Sequence, residues 1–176
     1  VSRAESRALC AELGIDAAWL KASPLPFQPE ARRLAYVGLG TDGRDKFLSP
    51  GAARAWAAMQ RDAEKAGVAL LLISAFRSQA FQARLIAQKL ARGERIADVL
   101  RMNAAPGYSE HHSGGAVDIG CAGVAALDAA FEHTAAFAWL QQHAARYKFF
   151  LSYPRGNALG IAFEPWHWCW HPERNG

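Results

Sequence analysis

Two short segments hold most of the side chains in this sequence that could do chemistry together. The first runs Ser109-Glu110-His111-His112-Ser113-Gly114-Gly115-Ala116-Val117-Asp118, and the second, well downstream, is Glu164-Pro165-Trp166-His167. Between them they offer imidazoles, an aspartate and a glutamate, the groups that hold and serve a hydrolytic metal ion. A catalytic zinc site needs three protein ligands and one open position. It also needs a carboxylate off the metal to take a proton from the attacking water. His111, Asp118 and His167 can supply the ligands, and Glu164 the base.

Taken alone, each segment has a plainer reading. The pair Gly114-Gly115 lets the chain fold back tightly, so that His111 at a loop mouth and Asp118 on the following strand converge on one ion. The same residues describe a surface loop with a polar histidine pair equally well. Either of His111 and His112 can reach a metal, and the spacing to Asp118 favours His111. Residues three apart on a regular strand face opposite sides, so Glu164 and His167 meet only if the strand is interrupted. Pro165, which cannot donate to a ladder, marks such an interruption. Trp166-His167-Trp168 by itself reads as an aromatic edge strand with a packed histidine. The two segments together favour a metal centre. His133, His143 and His171 are expected at the surface or in packing, with His171 near enough to His167 to line a cleft.

In chain order, Ser74-Ala75-Phe76-Arg77-Ser78 with Gln82, Pro106-Gly107-Tyr108-Ser109-Glu110-His111, Asp118, and Glu164-Pro165-Trp166-His167 resemble the motifs of the zinc D,D-peptidases. These are the VanY-type D-alanyl-D-alanine carboxypeptidases, relatives of the VanX-type dipeptidases. Several separated matches in one order are far more specific than any one of them. The resemblance covers Val68 to Trp170 and leaves residues 1–67 without a motif. It implies an α+β, Hedgehog-like fold with a small antiparallel sheet flanked by helices, and one zinc ion on His111, Asp118 and His167. It implies that Glu164 takes the proton of the attacking water and later passes it to the leaving amine. Arg77 would steady negative charge on the substrate carbonyl, and Gln82 would support the arginine loop. Ser109, Tyr108 and Trp166 would join Gln82 in lining the substrate pocket.

The implied substrate is a peptidoglycan stem peptide ending in a D-amino acid, cut by a carboxypeptidase in the periplasm or cell envelope. An L,D-carboxypeptidase, a D-alanyl-D-alanine dipeptidase, a wall endopeptidase, or a non-catalytic wall-binding module that keeps its zinc are the alternatives. His112 stands where the family often has glutamine, Gly115 where a larger apolar residue is common, and Gln79 where an aromatic is common. These departures bear on pocket shape.

The elements that must position these residues are readable in outline. Residues 2–13 form an amphipathic pattern ended by Gly14, and Asp16 caps a further turn through Leu20. A strand is expected around Leu34–Leu39. Ser49-Pro50 starts a helix that Gly67 stops. The apolar run Val68–Phe76 reads as a buried strand. Ser78 caps a helix with Phe81, Leu85, Ile86 and Leu90 on one face, and a short helix covers Ile96–Met102. Ala116–Ile119 is a strand, Ala125–Ala145 carries two helical segments, and Phe149–Ser152, Leu159–Phe163 and Trp166–Trp170 read as antiparallel strands. Helices before and between clustered strands give one α+β domain over residues 1–176, with the motifs on a core of 68–170 and a helical part over 1–67.

Bulk properties agree with a folded domain and narrow its partners. With 51% apolar and 20% charged residues, the chain can bury a core. Its net charge of +4 is compatible with an anionic partner such as a wall polymer, a membrane surface or nucleic acid, and a solvated surface with a modest positive excess is the expected reading. The basic residues are scattered, so no nucleic-acid stripe is expected. Cys10, Cys121 and Cys169 have wide spacings; a Cys121–Cys169 bridge is one option, and packed free thiols are the expected one. No apolar run is long enough to span a bilayer.

Overall fold

The computed structural model describes residues 1–174. Helix α1 (Arg3–Glu12) opens with a capping box in which Ser2 and Glu5 satisfy each other's backbone N–H groups. Asp16 caps α2 (Ala17–Ala22) through the backbone of Trp19. A hairpin follows, β1 (Ala35–Leu39) with β2 (Asp45–Leu48), antiparallel and separate from the main sheet. Helix α3 (Pro50–Lys65) begins after Ser49, which occupies the cap position without a side-chain bond.

The main sheet has four strands in the order β3 (Leu71–Ser74), β4 (Ala116–Gly120), β6 (His167–Trp170), β5 (Phe149–Leu151), all antiparallel. Between them lie α4 (Gln79–Ala91), capped by Ser78, then α5 (Ile96–Met102) and α6 (Ala135–His143). Side chains alternate across a strand, and β4 shows what that does. Val117 and Ile119 join Leu72, Trp56, Leu140, Phe149 and Trp168 in the largest core cluster, beneath α3 and α6. Asp118 leaves the opposite face. Helix α3 offers Ala52, Trp56, Met59 and Ala63, all buried, at helical spacing to that core. A second cluster joins α1, α2, α4 and α5 through Cys10, Ile15, Leu20, Ile86 and Val99.

Several elements differ from the sequence expectations. The buried strand read over Val68–Phe76 is pared to Leu71–Ser74. Val68 N–H closes the end of α3 on Ala63 O, and Phe76 N–H pairs with Phe47 O outside the main sheet. The hairpin partner β2 was not expected. Leu159–Phe163 is not a strand: Asn157 Nδ2 donates to Ile161 O and Ala162 N–H to Arg101 O, which satisfies the backbone irregularly. Residues 125–145 carry a 3-10 turn (Ala129–His133) ahead of α6. All three cysteines are free. Among the described residues, no helix is long and apolar enough to cross a membrane.

The loop into β4 depends on Gly114. Its φ of +69° is left-handed, and a Cβ there would lie 2.8 Å from the backbone nitrogen of Ser49. That nitrogen donates to Gly114 O at 2.8 Å, so backbone meets backbone with no side chain able to yield. Gly114→Ala is expected to lower unfolding stability by about 1–3 kcal/mol, read from urea melts against the parent protein.

Candidate metal centre and active-site cleft

Strand register sets the geometry of the site. Ser74 lies opposite Asp118, and Asp118 opposite His167, in one row across β3, β4 and β6. Directly paired residues share a face, so the aspartate and histidine meet without either strand bending. His111 arrives from a 3-10 turn (Glu110–Ser113) that Gly114 ends in the left-handed region. The ligand atoms of His111, Asp118 and His167 all lie within 4.8 Å of one another, and all three residues are buried.

Hydrogen bonds fix which atoms face inward. His111 Nδ1 donates to Ala75 O at 2.7 Å, which leaves Nε2 turned to Asp118 Oδ2 at 3.2 Å. His167 Nε2 donates to Glu110 Oε2 at 2.9 Å, and its Nδ1 faces Asp118 Oδ1 at 3.0 Å. Four-coordinate zinc with ligand distances of about 2.0–2.1 Å sets its donors roughly 3.3 Å apart, and these separations are close to that. Glu164 Oε2 stands 3.9 Å from His167 Nδ1, beside the group without joining it.

The electrostatics carry the same message. Burial works against the charge of Asp118, yet His111 and His167 hold its carboxyl well below the usual range. Burial works against a charged His167 as well, but its hydrogen bonds to Asp118 and Glu110 raise it to about 10. Glu110, despite burial, is held down to about 2 by His167. Without a metal ion, His167 thus keeps a proton on the nitrogen that faces Asp118, the place a cation would fill. The donor set and its charge therefore fit a divalent metal. Glu164 behaves differently: burial pushes its carboxyl up to about 7, a value suited to exchanging protons near neutrality.

The group lies in a cleft of about 260 Å³, lined by Arg77, Ser109, Tyr153, Glu164 and Trp166 among others. Arg77 follows β3 at the start of α4. Its Nη1 donates to Gln82 Oε1 at 2.9 Å and its Nη2 to Ser74 Oγ at 3.1 Å, while Nη2 stays 3.7 Å from Asp118 Oδ2. Gln82 is pinned in turn by donating to Ala104 O at 2.8 Å. Of the residues expected in the site, His111, Asp118, His167, Glu164, Arg77, Gln82, Ser109 and Trp166 all face this cleft. Tyr108 does not, which corrects its expected place in the pocket. Its ring sits edge-on to Phe27 at 6.1 Å and packs beside α1 and α2. Glu110, the partner of His167, was read only as part of a motif. The signal it offered, a carboxylate next to a candidate ligand histidine, does not name the distant imidazole it serves.

His112 points away from the group. Gly107 N–H donates to its Nε2 at 3.1 Å, so its Nδ1 donates to Arg77 O at 2.6 Å. Burial lowers this ring from 6.5 to about 4, because a second proton has no place there.

Comparison with known proteins gives a consistent pattern. The family model described as VanY, D-alanyl-D-alanine carboxypeptidase, matches residues 45–173. YodJ of Bacillus subtilis (strain 168), which bears a carboxypeptidase name, is 33% identical over 126 residues, covering 69% of this chain and 45% of its own. The bifunctional D-Ala-D-Ala dipeptidase and carboxypeptidase VanXYC of Enterococcus gallinarum is 31% identical over 128 residues, covering 70% of this chain and 66% of its own. The chain thus spans less than half of YodJ. Among solved structures, the LdcB LD-carboxypeptidase superposes with a TM-score of 0.72 at 28% identity, over 82% of this chain and 71% of that one.

The folded state prefers neutral His112, so its contribution to stability is full above pH 6.5 and is lost as pH falls from 6.5 towards 4. A loss of about 3 kcal/mol is expected across that window. Glutamine can accept from Gly107 and donate to Arg77 without titrating. His112→Gln should therefore remove most of this acid limb, as urea melts at pH 7.5 and pH 5 of both proteins in chelator will show.

Proposed function

The chain belongs to the VanY-type D-alanyl-D-alanine carboxypeptidase family, and from that premise we propose that it is a zinc-dependent carboxypeptidase acting on peptidoglycan stem peptides. The observation that carries the proposal is the convergence of His111, Asp118 and His167 while Glu164 stands free beside them in an open cleft. A purely structural zinc site is closed by four ligands and has no use for an unattached carboxylate.

His111 Nε2, an Asp118 oxygen and His167 Nδ1 would hold the ion. A bound zinc would bring the pKa of its water to about 7 and polarise the scissile carbonyl. The remaining work falls to the chain's own residues. Glu164 accepts the proton of the attacking water and hands it to the nitrogen of the departing D-amino acid. Its buried position suits both acts, since a carboxyl raised to about 7 accepts and releases a proton at little cost. Arg77, held in place by Gln82 and Ser74, meets the negative charge that gathers on the carbonyl oxygen. Glu110 keeps the His167 ring turned so that Nδ1 faces the ion, as carboxylates behind ligating histidines do. Trp166 and Tyr153 wall the cleft, exclude water and strengthen these interactions.

A second specificity has its own support. The solved neighbour at a TM-score of 0.72 is an LD-carboxypeptidase, so a tetrapeptide ending in a single D-residue is the competing substrate. Action on the wall implies a place outside the cytoplasmic membrane.

Glu164→Gln is expected to keep zinc and lose turnover by about 10²–10⁴-fold; near-parental hydrolysis by that variant removes Glu164 from its role. His111→Ala and His167→Ala should lose stoichiometric metal, and Glu110→Ala should weaken metal affinity by about 10–100-fold, all read by elemental analysis and chelator competition. Incubation with defined pentapeptide, tetrapeptide and D-alanyl-D-alanine substrates, followed by mass spectrometry, is expected to show zinc-dependent release of D-alanine from the pentapeptide. Release from the tetrapeptide alone would assign the LD specificity instead.

A further inference from the structure

Cys169 and His171 take no part in the chemistry described above. Among the described residues, Glu110, Cys169 and His171 form a second group whose ligand atoms all lie within 4.8 Å of one another. Strand period explains the meeting. His167 and Cys169 are two residues apart on β6 and leave the same face of the sheet, and the chain runs on from there to His171.

Glu110 lies over this row with its oxygens divided. Oε2 accepts from His167 Nε2 at 2.9 Å, while Oε1 is 4.0 Å from His171 Nε2. Cys169 closes the inner end, being 3% exposed, and the His171 side chain, 44% exposed, opens the outer end to solvent. A thiol, an imidazole and a carboxylate make a ligand set for borderline-soft divalent ions, zinc foremost. Hard ions such as magnesium, which seek oxygen, are poorly served by it.

We propose that Glu110, Cys169 and His171 form a second site for a thiophilic divalent transition metal, adjacent to the first and of lower affinity. On binding, the metal–sulfur bond forms as the Cys169 thiol proton passes to solvent; no electron is transferred. Affinity is lower because Glu110 is already engaged by His167 and His171 must close in from 4.0 Å. Because one carboxylate serves both groups, filling the second site loosens the hold on His167, and excess zinc slows turnover.

The test begins with zinc-loaded protein, to which more zinc is added before bound ions are counted. A second ion per chain is expected in the parent, and only the first in Cys169→Ser and in His171→Ala. Cobalt(II) added to the zinc-loaded parent should bring thiolate-to-cobalt charge-transfer absorption that Cys169→Ser abolishes. Inhibition of hydrolysis by excess zinc should vanish in His171→Ala, whose exposed side chain leaves folding untouched. A single ion at every zinc concentration, a second ion indifferent to both substitutions, or cobalt uptake without the thiolate absorption overturns the proposal. The cobalt signal requires no hydrolysis, so failure of the carboxypeptidase reading would leave it standing.

Discussion

A carboxylate with almost no access to water lies at the centre of this molecule. Asp118 is 3% exposed, on the middle of a four-stranded sheet, and burying such a charge without partners costs several kcal/mol. Its surroundings answer that cost. His111 faces one oxygen, His167 the other, and Arg77 stands beyond. Yet Asp118 and Glu110, both held as carboxylates, face one guanidinium, and Glu164 adds part of a charge near neutrality. The excess is negative, and a divalent cation among the imidazoles would balance it. The proton held by His167 in the metal-free arrangement marks the same deficit.

That constraint explains why the two histidines are held so differently. His111 is fixed by a backbone carbonyl, Ala75 O, and so its orientation follows the fold of β3. His167 is fixed by a side chain, Glu110, three residues upstream of Ser113 on the loop that also brings His111. One turn therefore delivers a candidate ligand and the orienting partner of another. Arg77 is tied to the same turn through its own N–H to His111 O and through its carbonyl to His112. Motion in that loop would disturb His111, Glu110 and the placement of Arg77 together.

The convergence of His111, Asp118 and His167 beside Glu164 was legible in the sequence because metal chemistry admits few residue types and the motifs are short and polar. Helix α3 and helix α5 were legible too, the first from Ser49-Pro50 and Gly67, the second from the Ile96–Met102 pattern. What escaped depended on long-range pairing. Glu110 and His167 are 57 residues apart, and nothing local to either points to the other. Strand β2, with its polar Asp45 and Lys46, gains its regularity only from β1 opposite it. Leu159–Phe163 has the apolar content of a strand, but its backbone is taken up locally, by Asn157 Nδ2 on Ile161 O and by Ala162 N–H on Arg101 O. Tyr108 sits between two pocket-facing stretches in sequence, yet the positive φ of Gly107, at +88°, turns the chain so that the ring goes to the helices instead.

The residues that carried no motif turn out to hold the loop that bears His111 in place. Ser6 Oγ donates to Pro106 O at 2.8 Å, and Cys10 Sγ contacts the same carbonyl at 3.4 Å. Gln28 N–H donates to Gly107 O, Ala31 N–H to His112 O, and Ser49 N–H to Gly114 O, each within 2.8 Å. Glu30 accepts from the N–H of Gln79 at the head of the helix that carries Gln82. An irregular loop has few backbone partners of its own, and buried N–H and C=O groups must be paired somewhere. Here the pairing comes from the first third of the chain, which lies ahead of most of the family match at 45–173. A loop free to relax would let the three ligands drift, and a shift of about 1 Å in a reacting group can cost two orders of magnitude in rate. In the proposed carboxypeptidase the N-terminal segment would thus support catalysis without touching the cleft, by removing the freedom of the turn that bears His111 and Glu110.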